Sequence, residues 1–195
     1  MSIPPLLIGL TGRAGAGKST VATELENEWS MHHIAFAEPI QAMLCSLFDL
    51  AGIDGAWTAD RALKELPTTL GWSYRHLAQS LGTEWARAQL ADDFWLRVTG
   101  ARLDAPGMQG ESVVISDVRF PNEAAWVRAR GGVIVRVVRD GLPSVRQHES
   151  EAHADTIEPD RELINNGSIW TLCEQIDRLM HALLYTARHA QRPTT

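Results

Sequence analysis

Residues 9–20 read Gly-Leu-Thr-Gly-Arg-Ala-Gly-Ala-Gly-Lys-Ser-Thr. From Gly12 to Ser19 the spacing is G-x-x-x-x-G-K-[ST], a pattern with a definite chemical use. Glycines let the backbone wrap until several N–H groups converge, and converging N–H groups bind phosphate oxygens. Lys18 adds a point charge for β- and γ-phosphates, and Ser19 offers a hydroxyl to Mg²⁺. On this reading Gly12, Gly15, Ala16, Gly17, Lys18, Ser19 and Thr20 contact the phosphates of an ATP donor. Arg13, inside the loop, is a candidate for the phosphoryl group in transfer. The competing reading is a glycine turn that merely joins a strand to a helix.

The flanking residues favour the phosphate cradle. Leu6-Leu7-Ile8 is a short apolar run fit for a buried strand, and Val21, Ala22 and Leu25 follow at helical spacing. A helix starting at the end of the loop aims its positive dipole end at the same phosphates. A second element lies downstream. Val113-Val114-Ile115-Ser116-Asp117 is an apolar strand ending in an acid. A carboxylate at the end of a neighbouring strand can hold Mg²⁺, and an acid there can equally be a turn or helix-capping residue. Arg119 follows, either as a phosphate contact or as an ion-pair partner, and Phe120-Pro121-Asn122-Glu123 opens a helix.

Strands are expected at residues 6–10, 33–36, 113–116 and 133–138, with a short one at 163–164, and helices between them. That alternation predicts an α/β fold with a largely parallel sheet covered on both faces. Residues 140–162 are polar and charged; they read as a solvated excursion, or as the place for a closing lid. The chain has 195 residues, 45% of them hydrophobic, enough for one domain with a full core. Its net charge of −6 argues against a general nucleic-acid binder. No apolar run approaches the roughly 20 residues of a membrane span. The N-terminus has no signal-like pattern, so a cytoplasmic protein is expected. Cys45 and Cys173 sit in apolar helical patterns and are expected as buried free thiols.

Five segments occur in a telling order: the glycine loop, Phe36-Ala37-Glu38-Pro39-Ile40, Leu81-Gly82-Thr83-Glu84-Trp85-Ala86-Arg87, Ile115-Ser116-Asp117-Val118-Arg119-Phe120-Pro121-Asn122-Glu123-Ala124 and Arg130-Gly131-Gly132. Together they resemble the deoxynucleoside monophosphate kinases encoded by tailed bacteriophages, over residues 8–180. The first motif is shared by many NTPases; the Asp-Val-Arg-Phe-Pro-Asn-Glu run is far more specific.

The resemblance implies a single three-layer P-loop NTPase domain over residues 1–195 with a central five-stranded parallel sheet. It also implies a helical acceptor-binding insert at about 38–110 and a lid at about 139–162. The reaction implied is transfer of the γ-phosphoryl group of ATP to a dNMP, with Mg²⁺ at Ser19 and Asp117. Glu38, Arg75, Gln79, Arg87 and Asp117 become candidates for the acceptor. Arg75 and Gln79, four apart, share a helix face, with Leu77 and Leu81 on the core side and Trp85 read as packing. As catalytic arginines the candidates are Arg13, Arg119, Arg139 and Arg146; Arg136 is weaker, since it can simply alternate outward from its strand. Asn166, in Asn165-Asn166-Gly167-Ser168, lies where related kinases hold adenine, and Ser168 also reads as a helix cap. His148-Glu149-Ser150-Glu151 resembles a lid motif of the family. His148, Glu151 and His153 suggest a metal site only weakly, with no ordered element evident to fix them. No direct nucleic-acid or membrane partner is expected, and a homodimer stays open.

Two rival readings remain. A dephospho-CoA kinase has a similar loop and Asn-Asn-Gly-Ser turn, but phosphorylates a sugar hydroxyl and would need a carboxylate base, a part Glu38 could take. An ATP-hydrolysing switch or DNA-packaging partner would hydrolyse ATP without regard to dNMPs.

Overall fold

The computed structural model describes residues 5–54, 62–142 and 149–190. The chain divides into two compact units, Met1–Ala35 with Leu103–Thr195, and Phe36–Arg102. In chain order the strands are β1 (Leu7–Thr11), β2 (His32–Ile34), β3 (Val113–Ile115), β4 (Val133–Val138) and β5 (Arg161–Ile164). The helices are α1 (Lys18–Trp29), α2 (Glu38–Leu50), α3 (Tyr74–Gln79), α4 (Phe94–Leu103), α5 (Pro121–Ala129), α6 (Glu149–Thr156) and α7 (Ile169–Ala190).

All strand pairings are parallel, in the order β2-β3-β1-β4-β5. The period of two along β1 explains the layers. Ile8 and Leu10 point to one face, into a cluster with Val21, Ala22 and Leu25 of α1 and Leu172 and Ile176 of α7. Gly9 points to the other face, where a Cβ would lie 2.8 Å from Ile134 Cδ1 and 3.4 Å from Val127 Cγ2 of α5. A larger residue at position 9 would force the Ile134 side chain, and that of Val118 at 2.9 Å, to shift. Helices therefore cover both faces, the three-layer α/β arrangement expected. The chain order reverses at β1, which lies between β3 and β4. Such a reversal opens a crevice at the carboxyl ends of the strands, where α/β proteins bind ligands.

The five strands fall close to their expected places, with one consequential difference. β5 begins at Arg161, and Arg161 and Glu162 pair with Val135 and Arg136. The segment between β4 and β5 thus ends before residue 161, and the expected lid boundary at 162 overruns into the sheet.

The second unit packs Ile40, Leu44, Phe48, Ile53, Tyr74, Ala86 and Trp95 into its own core, with Leu77 and Leu81 against it. Burial raises the ionisation range of the Tyr74 hydroxyl. After α3 the chain continues as a π-helix over Ser80–Leu90, which contains the whole Leu-Gly-Thr-Glu-Trp-Ala-Arg run. The Trp95 indole donates to Gly82 O at 2.9 Å inside this core. Trp85, expected as packing, is more than a third exposed and meets Phe94 edge-on. Cys45 and Cys173 are free but half-buried. In α2 the buried stripe is Ile40, Leu44 and Phe48, and Cys45 flanks it. Among the described residues no helix is long and apolar enough to cross a membrane.

Candidate active site

The glycine loop leaves β1 at its carboxyl end. Gly12 has φ +129°, and a Cβ there would lie 2.3 Å from the Val137 carbonyl oxygen of β4. Gly17 caps α1 with φ +107°, and its Cβ would lie 2.3 Å from Asn165 Nδ2. Both positions need a left-handed backbone and leave no room for a side chain, so glycine is required twice. Between them the Ala16 N–H donates to Arg13 O at 3.1 Å. Lys18 is the first residue of α1, and its ammonium folds back over the loop to Gly12 O at 2.5 Å and Arg13 O at 3.0 Å. Ser19 and Thr20 are exposed in the same first turn.

The end of β3 lies beside this loop. The Val118 N–H donates to Leu10 O at 3.0 Å, which draws the turn carrying half-buried Asp117 to the end of β1. Arg119 is exposed just after it. The rest of the specific motif is explained by Glu123, which sequence reading left without a role. Glu123 is 3% exposed, and its carboxylate accepts the N–H groups of Arg119 at 2.7 Å and Phe120 at 3.0 Å. It closes the first turn of α5, which Pro121 opens. The available signal was a glutamate three residues after the helix boundary. Glu123→Ala should lower stability by about 1–3 kcal/mol, because two inward N–H groups lose their acceptor. Urea denaturation checks this, and Glu123→Gln should lose less.

On the other flank, Asn165 Nδ2 donates to Ala16 O at 2.8 Å, and its backbone N–H donates to Val138 O at 2.7 Å. Asn165 therefore holds the glycine loop. Asn166, the residue singled out from sequence, instead exchanges two hydrogen bonds with Asp140, at 2.5 and 2.8 Å. Two adjacent asparagines look alike in sequence; only the register of β5 distinguishes them. Ser168 does cap α7, accepting the Thr171 N–H at 3.2 Å.

The arginine candidates separate. Arg13 pairs with Asp155 of α6 at 3.2 Å. Arg136 donates to Ile157 O and faces Glu162 at 3.9 Å; it stitches β4 to the chain entering β5. Arg139 is exposed just past β4. Arg146 and His148, and the side chain of Glu151, lie outside the described residues. The expectation of no ordered element near His153 is corrected by α6, a short polar helix with no apolar stripe to reveal it. The His153 ring lies 5.4 Å from that of Phe120. Among the described residues no three metal-ligating side chains gather.

In the second unit Arg75 pairs with Glu65. Gln79 is half-buried at the last position of α3. Arg87 donates to Asp92 O at 3.0 Å, and Glu38 pairs with Arg102 at 2.5 Å.

The family model for deoxynucleotide monophosphate kinase matches residues 61–176, more than half of the chain. The chain belongs to the deoxynucleotide monophosphate kinase family. A provisionally designated deoxynucleotide monophosphate kinase of Acanthamoeba polyphaga mimivirus is 31% identical over 186 residues, 88% of this chain and 94% of that protein. The deoxynucleotide monophosphate kinase of Escherichia phage RB69 is 30% identical over 110 residues, 56% of this chain and 45% of that protein. Among solved structures, TT1252 from Thermus thermophilus aligns over 92% of this chain and 98% of its own, at 20% identity and a TM-score of 0.49.

Not every residue behind the resemblance serves the site of this kinase. Arg130 pairs with Asp104 at 3.0 Å and lies over the Trp126 ring at 4.5 Å. Its guanidinium holds the Asp104 carboxyl below the usual carboxylate range. The Arg130-Gly131-Gly132 run therefore shapes the turn from α5 into β4.

Proposed function

We propose that this kinase transfers the γ-phosphoryl group of ATP to the phosphate of a deoxynucleoside monophosphate, giving a deoxynucleoside diphosphate and ADP. The observation that carries the reading is the cradle at the carboxyl end of β1, in a chain of this family. Two of its glycines have no space for a Cβ, and a lysine already lies across it. Ser19 and Asp117 supply hard oxygen donors on neighbouring elements, a set that suits Mg²⁺. Bound there, the ion would neutralise charge on the donor phosphates.

The chain's own residues do the rest by position and charge. Lys18 exchanges its two loop carbonyls for phosphate oxygens. Arg13 exchanges Asp155 for the phosphoryl group in transfer, with Arg119, Arg139 and Arg146 as further candidates. Asn165 fixes the loop, while Asn166 stays the candidate beside the donor base. Arg75, Gln79, Arg87 and Glu38 are the acceptor candidates in the second unit. The acceptor oxygen is already ionised at neutral pH, so no general base is needed. Glu38 is engaged by Arg102, which disfavours its use as the base a sugar hydroxyl would require. With a net charge of −6, the enzyme is expected to act on free nucleotides.

ADP release coupled to an optical assay, with ATP and each dNMP, each NMP and dephospho-CoA in turn, tests this reading. ADP release should depend on at least one dNMP. Release with dephospho-CoA alone would favour the dephospho-CoA kinase, and release indifferent to every acceptor would favour an ATP-hydrolysing switch.

A further inference from the structure

We propose that His33 is a positioning residue for the metal-binding turn and acts through Ser116. The inference rests on the assignment of Asp117 to Mg²⁺. His33 lies in the middle of β2, and its Nε2 is 2.8 Å from Ser116 Oγ. Across the ring, Nδ1 faces Glu26 Oε2 of α1 at 4.0 Å. A carboxylate attracts an N–H and repels a lone pair, so Glu26 favours the tautomer protonated at Nδ1. Nε2 is then an acceptor, and the Ser116 hydroxyl donates to it.

Ser116 directly precedes Asp117. Main-chain bonds pin the turn on both sides: the Ser116 N–H donates to Ile34 O at 3.1 Å, and the Val118 N–H to Leu10 O at 3.0 Å. The hydroxyl of Ser116 would otherwise rotate freely; His33 fixes it. With its proton committed to His33, Ser116 Oγ has only lone pairs left to offer at the end of β3. An oxygen that can only accept, on the residue next to Asp117 in the chain, suits the hydrogens of metal-bound water. Glu26, His33 and Ser116 thus join α1, β2 and β3. Two of these elements, α1 and the turn after β3, carry the proposed metal oxygens.

The test measures Mn²⁺ bound by the full chain with a non-hydrolysable ATP analogue, by electron paramagnetic resonance. The Mg²⁺ dependence of turnover and the melting temperature are measured beside it. The variants are His33→Ala, His33→Gln, Ser116→Ala, the double alanine variant and Asp117→Asn. His33→Ala and Ser116→Ala should each weaken Mn²⁺ binding about tenfold, the usual size for the loss of a residue that orients a metal ligand. The double variant should be no worse than either single one, because both remove one contact. His33→Gln, which keeps an acceptor, should recover most of the affinity. Normal Mn²⁺ binding in His33→Ala and Ser116→Ala, with weakened binding in Asp117→Asn, overturns the role of His33 and leaves the metal assignment standing. Normal binding in Asp117→Asn overturns both. A lower melting temperature with unchanged Mn²⁺ affinity would make the contact purely structural.

Discussion

Lys18→Ala should lower turnover by about two to four orders of magnitude, the range found when one preorganised charge is removed from a transition state. The melting temperature should stay near that of the parent. Lys18 is half-buried at the start of α1, and its ammonium meets the loop carbonyls Gly12 O and Arg13 O. Alanine is a good helix former at that position, so the fold loses little. Lys18→Arg should not rescue fully, since a planar fork cannot replace a compact ammonium in a loop this tight. Single-turnover phosphoryl transfer, read with a thermal melt, checks both halves. Near-normal turnover in Lys18→Ala would remove the phosphate cradle from the donor site.

Gly12→Ala should act in the opposite way, through the backbone. A Cβ at position 12 would lie 2.3 Å from the Val137 carbonyl oxygen, at a φ of +129°. No side-chain rotation relieves a clash with main chain, so β1 and β4 would have to separate where their ladder runs from Ile8 to Thr11. Strain in this backbone region alone costs about 1–3 kcal/mol. The total should lower the melting temperature by roughly 5–10 °C in a chain of this size. Activity should fall with it, because the same shift opens the loop. A soluble Gly12→Ala protein with parental melting temperature would mean that the loop does not approach β4 this closely.

The candidate chemistry of this protein is legible wherever it depends on local sequence. The glycine spacing with Lys18 and Ser19, the strand before it and the helix after it are all short-range features. The short apolar runs of the strands marked out the sheet, and Ser168 and Pro121 announced the helices they begin. A capping glutamate such as Glu123 is also open to sequence, three residues after the helix boundary that Pro121 marks.

What only the tertiary structure decided concerns partners distant in sequence. Asn165 rather than Asn166 holds the glycine loop, because the register of β5 on β4 carries one amide to Ala16 O and turns the other to Asp140. Arg136, the weaker of the arginine candidates, is engaged by Ile157 O and Glu162. One local feature also escaped the sequence: the π-helix over residues 80–90, whose i→i+5 bonding leaves no mark on a 3.6-residue pattern. The His33–Ser116 contact spans 83 positions in the chain and exists only because β2 lies beside β3. Residue types and local spacing determine which chemistry is available here. Which side chain performs it is set by strand order and register, since a shift of one residue exchanges the faces on which neighbours sit.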